Sequence, residues 1–244
     1  MRPCTLSLLL LTGMLLASVA TAALPPDFEA SYRLEQHNLR IGTATIALHT
    51  DEQGRYRYAF HSEPSRWIGW FVDNQLQESS RGMITASGIR PLQYRYERSG
   101  GNERIARLSF DWQSMRVEND VAGSHWEMDI PPGTHDKLAT QLGMMIALDE
   151  GKHDVTFTVA DGGTLKEYRY QLIGTEVLDL PAGTFRTVKV AKLRKDIEQQ
   201  TIIWFAPALH YLPVRIWRRD SDGDEYQSEL EDFSRSLWGK KNNR

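Results

Sequence analysis

From Phe28 to Phe233 apolar and polar residues alternate with a period of two, and glycine, asparagine and aspartate punctuate the runs. Tyr56, Tyr58 and Phe60 alternate with Arg55, Arg57 and His61. Leu92, Tyr94 and Tyr96 do the same with Gln93, Arg95 and Glu97; the Gly100-Gly101-Asn102 turn then leads to Leu108 and Phe110, which predicts a hairpin. Further strands are predicted over 115–121, 126–130 and 155–159. In the second half, Asp161-Gly162-Gly163 separates the strand at Val155 from Tyr168-Arg169-Tyr170, and Pro181-Ala182-Gly183 leads into Phe185. Residues 202–205 are nearly continuously apolar, which suits a strand covered on both faces; residues 214–217 and 226–230 complete the series.

One stretch changes period. Across 136–149 the residues Leu138, Leu142, Met145 and Ile146 fall at i, i+4, i+7 and i+8, one face of a helix. Thr134 or Asp136 can cap its start and Gly151 its end. A second interruption, at 64–72, crowds Trp67, Ile68, Trp70 and Phe71 behind a proline, which predicts a short helical or loop plug. The fold class is therefore mainly β: a long antiparallel meander curled into a half-barrel or barrel, with one amphipathic helix packed across it.

The N-terminus has its own grammar. Arg2, an apolar run over 6–19 and the small residues Ala20-Thr21-Ala22 make the three parts of a secretory signal peptide, with cleavage expected after Ala22. The run is shorter than a membrane span, is broken by Gly13 and is followed by Pro25-Pro26, so no stable membrane span is expected. Cys4, the only cysteine, precedes the apolar run and would leave with the leader. The expectation is one β-rich domain over 23–244, cysteine-free, with a short polar tail after 233, in the periplasm.

Charge and motifs narrow the chemistry. The formal net charge is −3 with both signs interspersed, and nothing resembles the basic footprint of a nucleic-acid binder. No G-x-S-x-G, H-E-x-x-H, G-x-x-x-x-G-K or G-x-G-x-x-G is present, so no cofactor and no standard hydrolase site is expected. Seven histidines are scattered without metal-ligand spacing, and no metal site is expected. His125, beside Trp126, and His135, near the helix start, mark a place where polar groups could gather. Asp220-Ser221-Asp222-Gly223-Asp224 has the alternating acids of a calcium loop, but Glu225 stands where the sharp-turn glycine belongs, so the reading is a hairpin turn.

Two stretches carry a family likeness: Glu176-Val177-Leu178 with Pro181-Ala182-Gly183-Thr184-Phe185 and Lys189, and Trp204-Phe205-Ala206-Pro207, Leu209 and Tyr211-Leu212-Pro213-Val214-Arg215. With these the chain resembles a family of exported bacterial proteins catalogued as domain of unknown function 3108, over roughly the whole of 28–233. The resemblance implies a Gram-negative periplasmic setting and no particular activity. In architecture the chain is more distantly similar to periplasmic carriers and outer-membrane receptors of lipoproteins. Turn chemistry alone also accounts for both stretches, through the fixed φ of Pro181 and the freedom of Gly183.

The aromatic cluster gives the sharpest functional expectation. A binding or carrier module would take an apolar or amphiphilic ligand between the sheet and the helix, lined by Trp67, Trp70, Phe71, Leu138, Leu142 and Met145, with His61 or Arg66 for a polar head group. The alternative is a structural component that presents an edge or its tail to an envelope protein partner and holds no cavity. A hydrolase assembled from distant loops is the third reading.

Overall fold

The computed structural model describes residues 25–65, 75–85, 87–100, 103–193 and 199–235. The leader expected over 1–22 and most of the plug expected over 64–72 lie outside them. Fifteen strands follow one another: β1 (Phe28–Gln36), β2 (Leu39–Thr50), β3 (Arg55–Pro64), β4 (Gln75–Thr85), β5 (Gly88–Ser99), β6 (Arg104–Asp111), β7 (Arg116–Val121), β8 (Ser124–Asp129), β9 (His135–Asp136), β10 (Asp154–Asp161), β11 (Thr164–Leu180), β12 (Gly183–Leu193), β13 (Gln200–Ala206), β14 (Leu212–Arg219) and β15 (Glu225–Arg235). Helix α1 (Ala139–Asp149) lies between β9 and β10.

All fifteen join one sheet in the order β8-β7-β6-β5-β4-β3-β2-β1-β15-β14-β13-β12-β11-β10-β9. Neighbours pair antiparallel except β9 and β10, which are parallel. A parallel pair needs a crossover, and α1 supplies it, so the one break in the meander and the one helix share a cause. The first and last strands pair in the middle of the sheet, with Phe28 opposite Arg235 and Gln36 opposite Tyr226. The sheet curls but does not close into a barrel: β8 ends one side and β9 the other.

The inward-facing rows follow the predicted alternation. Tyr32, Leu48, Tyr58, Val117, Val190, Phe205, Leu212 and Leu230 are all fully buried in one core. The strand over 202–205 is covered on both faces, since Ile203, Trp204 and Phe205 are all buried. The acidic turn is a hairpin turn, with Asp220 N donating to Asp224 O at 2.9 Å and Gly223 at φ +89°. Among the described residues no set of three or more His, Cys, Asp or Glu could hold a metal, and no helix is long and apolar enough to cross a membrane.

The helix departs from expectation in two ways. It starts three residues later than the predicted span, because His135 and Asp136 are drawn into the sheet beside Val159 and Ala160. It is also buried nearly all round rather than on one face: Ala139, Thr140, Gly143, Met144, Ala147 and Leu148 are covered as well as Leu142 and Met145. The small residues Ala139, Gly143 and Ala147 fall at i, i+4 and i+8, and let a second surface approach. A β-carbon on Gly143 would lie 3.0 Å from the Phe157 ring. At its end the helix does as predicted: Gly151 takes φ +76°, its N–H bonds Leu148 O and Lys152 N–H bonds Ala147 O, a Schellman cap.

Candidate functional site

Among the described residues the two ends of the sheet meet without a hydrogen-bond ladder, and this seam is where polar chemistry and open space coincide. On one side β3, β4, β5, β6, β7 and β8 present an inner row in which Tyr58, Ser80, Tyr94, Leu108, Asn119 and Trp126 stand opposite one another in turn. The adjacent row runs Phe60, Glu78, Tyr96, Ala106 and Val121. On the other side stand the β9 to α1 corner and the turn from β10 into β11. Trp126 bridges the two. A β-carbon on Gly163 would come within 1.9 Å of its ring, so only glycine lets the indole lie against the turn, and the indole Nε1–H reaches Gly163 O at 3.4 Å.

Behind the seam a buried polar chain runs through the core. Ser80 donates to Asp136 Oδ2 at 2.5 Å, Tyr56 OH lies 2.8 Å from Ser80 Oγ, and Ala139 N–H donates to Asp136 Oδ1 at 2.7 Å. Asp136 thus caps the first turn of the helix from two positions before its flanking residue. It is wholly buried, and burial pushes its carboxyl up to about 7 against the lowering pull of these donors, chiefly Ser80. Lys137, on the solvent side of the corner, pairs with the buried carboxylate of Glu78 at 3.0 Å and lies over the Tyr96 ring. Asp161 accepts from Lys166 at 2.9 Å and Tyr168 OH at 2.7 Å, and these donors hold its carboxyl below the usual range despite partial burial.

Between these groups opens a cavity of about 130 Å³, half open to solvent, framed by Tyr94, Tyr96, Leu108 and Val121 on the sheet side and by Lys137 and Asp161 across the seam; Arg104 stands at its edge. Such a lining can hold an apolar group; Lys137 is engaged by Glu78 and Asp161 carries the opposite sign, so Arg104, which has no acidic partner among the described residues, is the cation that can meet an anionic group. The lining offers no activated nucleophile. Ser80, bonded to the Asp136 carboxylate, is fully buried and is not among the residues that frame the cavity.

The residues expected to bind ligand separate. Leu138, Leu142 and Met145 are buried in the core around α1. His61 lies on the outside of β3, with Nε2 2.8 Å from Glu63 Oε1. Arg66, Trp67, Trp70 and Phe71 lie outside the described residues. His125 is exposed, and His135 is buried with Nδ1 2.8 Å from Gly133 O, its protonation disfavoured by burial. Polar groups do gather at the helix start, but around Asp136 rather than the imidazoles. A signal for this was available: Glu78 and Ser80 occupy the inward parity of β4, where an apolar residue belongs.

A second cluster lies on the outer face, and it assembles the residues that carry the family likeness. Trp204 Nε1–H donates to Glu176 Oε2 at 2.8 Å, and Lys189 and Arg215 stack on its indole at 5.0 and 5.7 Å. Arg215 and Arg33 both clamp the buried Glu229 carboxylate, Arg215 Nη2 at 2.6 Å from Oε1 and Arg33 on Oε2. Every polar atom named is partnered, and the row spans β11 to β1.

The model of the family described as protein of unknown function (DUF3108) matches residues 27–231. The chain belongs to this family. No curated protein matches it. Among solved structures, a β-barrel-like protein of domain of unknown function DUF1849 from Brucella abortus is similar at 9% identity, covering 86% of this chain and 98% of its own, with TM-score 0.58, a likeness of fold alone. An exported protein of YmcC-like fold from Bacteroides fragilis (11% identity, 85% and 95% covered, TM-score 0.38) overlays loosely. So does a chain described as an outer membrane lipoprotein-sorting protein domain from Vibrio parahaemolyticus (10%, 89% and 88%, TM-score 0.28). Neither carries an argument here.

Proposed function

We propose that this family member is an exported, non-catalytic binding module that takes one end of an anionic amphiphile in the seam cavity. The observation that carries the reading is the lining itself: the aromatic and aliphatic side chains of Tyr94, Tyr96, Leu108 and Val121 together with Arg104, beside the Lys137 and Asp161 pair of opposite charges. The cavity is smaller than the ~300–1,000 Å³ of a typical ligand pocket. It therefore receives a chain end or head group, and the rest of the ligand stays outside. Leu138, Leu142 and Met145 act in this reading as the packed support that fixes the Lys137 corner. The apolar run before Ala22 supports export, since it has the form of a signal peptide.

The test is native mass spectrometry of the mature chain with added decanoate. One adduct that is lost in Arg104→Met and retained in His61→Ala supports the reading. An apo mass throughout, in repeated preparations, overturns it. The packed interior, with Leu142, Met144 and Met145 fully buried, favours a second reading, a structural envelope component without a ligand. That reading predicts the apo mass.

A further inference from the structure

The outer face of β3 to β6 breaks a rule of sheet construction. Like charges directly opposite on neighbouring strands are destabilising. Here Arg57 stands opposite Arg81, and Arg95 stands opposite Arg107. All four side chains are exposed. Arg95 bonds Glu97, and Arg107 bonds Asp120 at 2.9 Å, whereas Arg57 and Arg81 have no acidic partner among the described residues. Four guanidiniums against two carboxylates leave a local excess of about two positive charges on a chain whose net charge is −3. Beyond β6 the sign reverses, where Glu118 stands opposite Ser109 and Asp120 opposite Arg107.

Three of these arginines, Arg81, Arg95 and Arg107, also line a groove. A concavity of about 270 Å³ on this face is bordered by Ser79, Arg81, Gln93, Arg95, Arg107 and Ser109. Guanidiniums, hydroxyls and an amide converge there, the donor set that planar, bidentate recognition of a phosphate uses. The inner core gains nothing from the arrangement, since Tyr94 and Leu108 fill the opposite face of the same strands. A local cost without a packing return marks a site kept for binding.

We propose that this groove binds a phosphate group, with Arg81 at its centre and Arg95 and Arg107 on its flank. The site is on the opposite face of the sheet from the seam cavity and stands or falls without it. The phosphate arrives as a soluble ester or as a lipid head group, and binding weakens with salt because the groove is exposed.

The experiment uses the mature chain with three probes: inorganic phosphate, glycerol 3-phosphate, and vesicles of phosphatidylglycerol in phosphatidylcholine set against phosphatidylcholine alone. Saturable binding of either soluble probe, weakened at least tenfold in Arg81→Gln, supports the site with a soluble ligand. Sedimentation with the phosphatidylglycerol vesicles only, lost in Arg81→Gln and kept in Arg104→Met, supports it with a head-group ligand. Thermal unfolding accompanies each variant: Arg81→Gln leaves the melting temperature unchanged or raises it, because an opposed charge is removed. Binding of no probe, or binding indifferent to Arg81→Gln and Arg95→Gln, overturns the proposal.

Discussion

The sheet is joined to itself in two places, and they are built differently. At the junction of β1, β15 and β14 the chain's two ends pair along a full ladder, and the carboxylate of Glu229 is gripped by Arg33 and Arg215 from either side. At the seam no ladder forms among the described residues; Trp126 lies on Gly163 and α1 bridges from β9 to β10. Backbone pairing makes the junction insensitive to most single side chains but dependent on its buried ions. The seam depends on side-chain fit, and that leaves it room for a cavity. The seam is thus a sheet edge covered by side chains instead of a paired strand.

The comparison breaks most visibly at Glu229. Glu229→Ala strips Arg215 of its carboxylate, leaves Arg33 with Glu35 alone and opens a void between them, and is expected to cost about 3–5 kcal/mol in denaturant unfolding. A loss under about 1 kcal/mol would mean that the junction is no firmer than the seam.

Asp136 tests the seam through pH. Its carboxyl titrates at about 7 in the folded chain, above the ordinary value of 3.8, so the folded state binds more protons than the unfolded state between those limits. Its contribution is complete below pH 4 and is lost as pH rises through 7, an effect of up to roughly 4 kcal/mol. Unfolding followed from pH 4 to 8 should show stability falling, and Asp136→Asn should flatten that slope. An equal slope in the variant would assign the pH dependence elsewhere.

Gly163→Val places atoms inside the Trp126 ring at a φ of +79° and is expected to cost about 1–3 kcal/mol, with a red shift of tryptophan emission as the indole moves out. In a Trp126→Ala background the same change should cost less, since only the backbone strain remains. The smallest effect belongs to His61→Ala. Its exposed pair with Glu63 should be worth under about 0.5 kcal/mol, within the error of a melting curve.

Much of this architecture was legible along the chain because a sheet with one wet face writes its register as alternation. Tyr56, Tyr58, Tyr94 and Leu108 were readable as inward residues for that reason, and Gly151 as a helix end because few other residues take its φ. Periodicity shows only one face of the helix, because it detects large residues. The second surface of α1 is made of Ala139, Gly143 and Ala147, whose smallness is the signal. The seam was not legible. Glu78, Ser80 and Lys137 are ordinary polar residues in sequence and become a site only when β4 and the β9 corner, more than fifty residues apart, are brought together.

The period, the turns and the place of the helix are local properties of the chain, since each depends on residues within a few positions of one another. Where the sheet opens, and which residues meet there, follows from the assembled fold. The curl of fifteen strands sets the partners of Trp126 and Asp136, and a curl is the sum of many small twists that no local pattern records. The same holds for the four arginines of β3 to β6: each is an unremarkable outward residue on its own strand, and only the register sets them face to face.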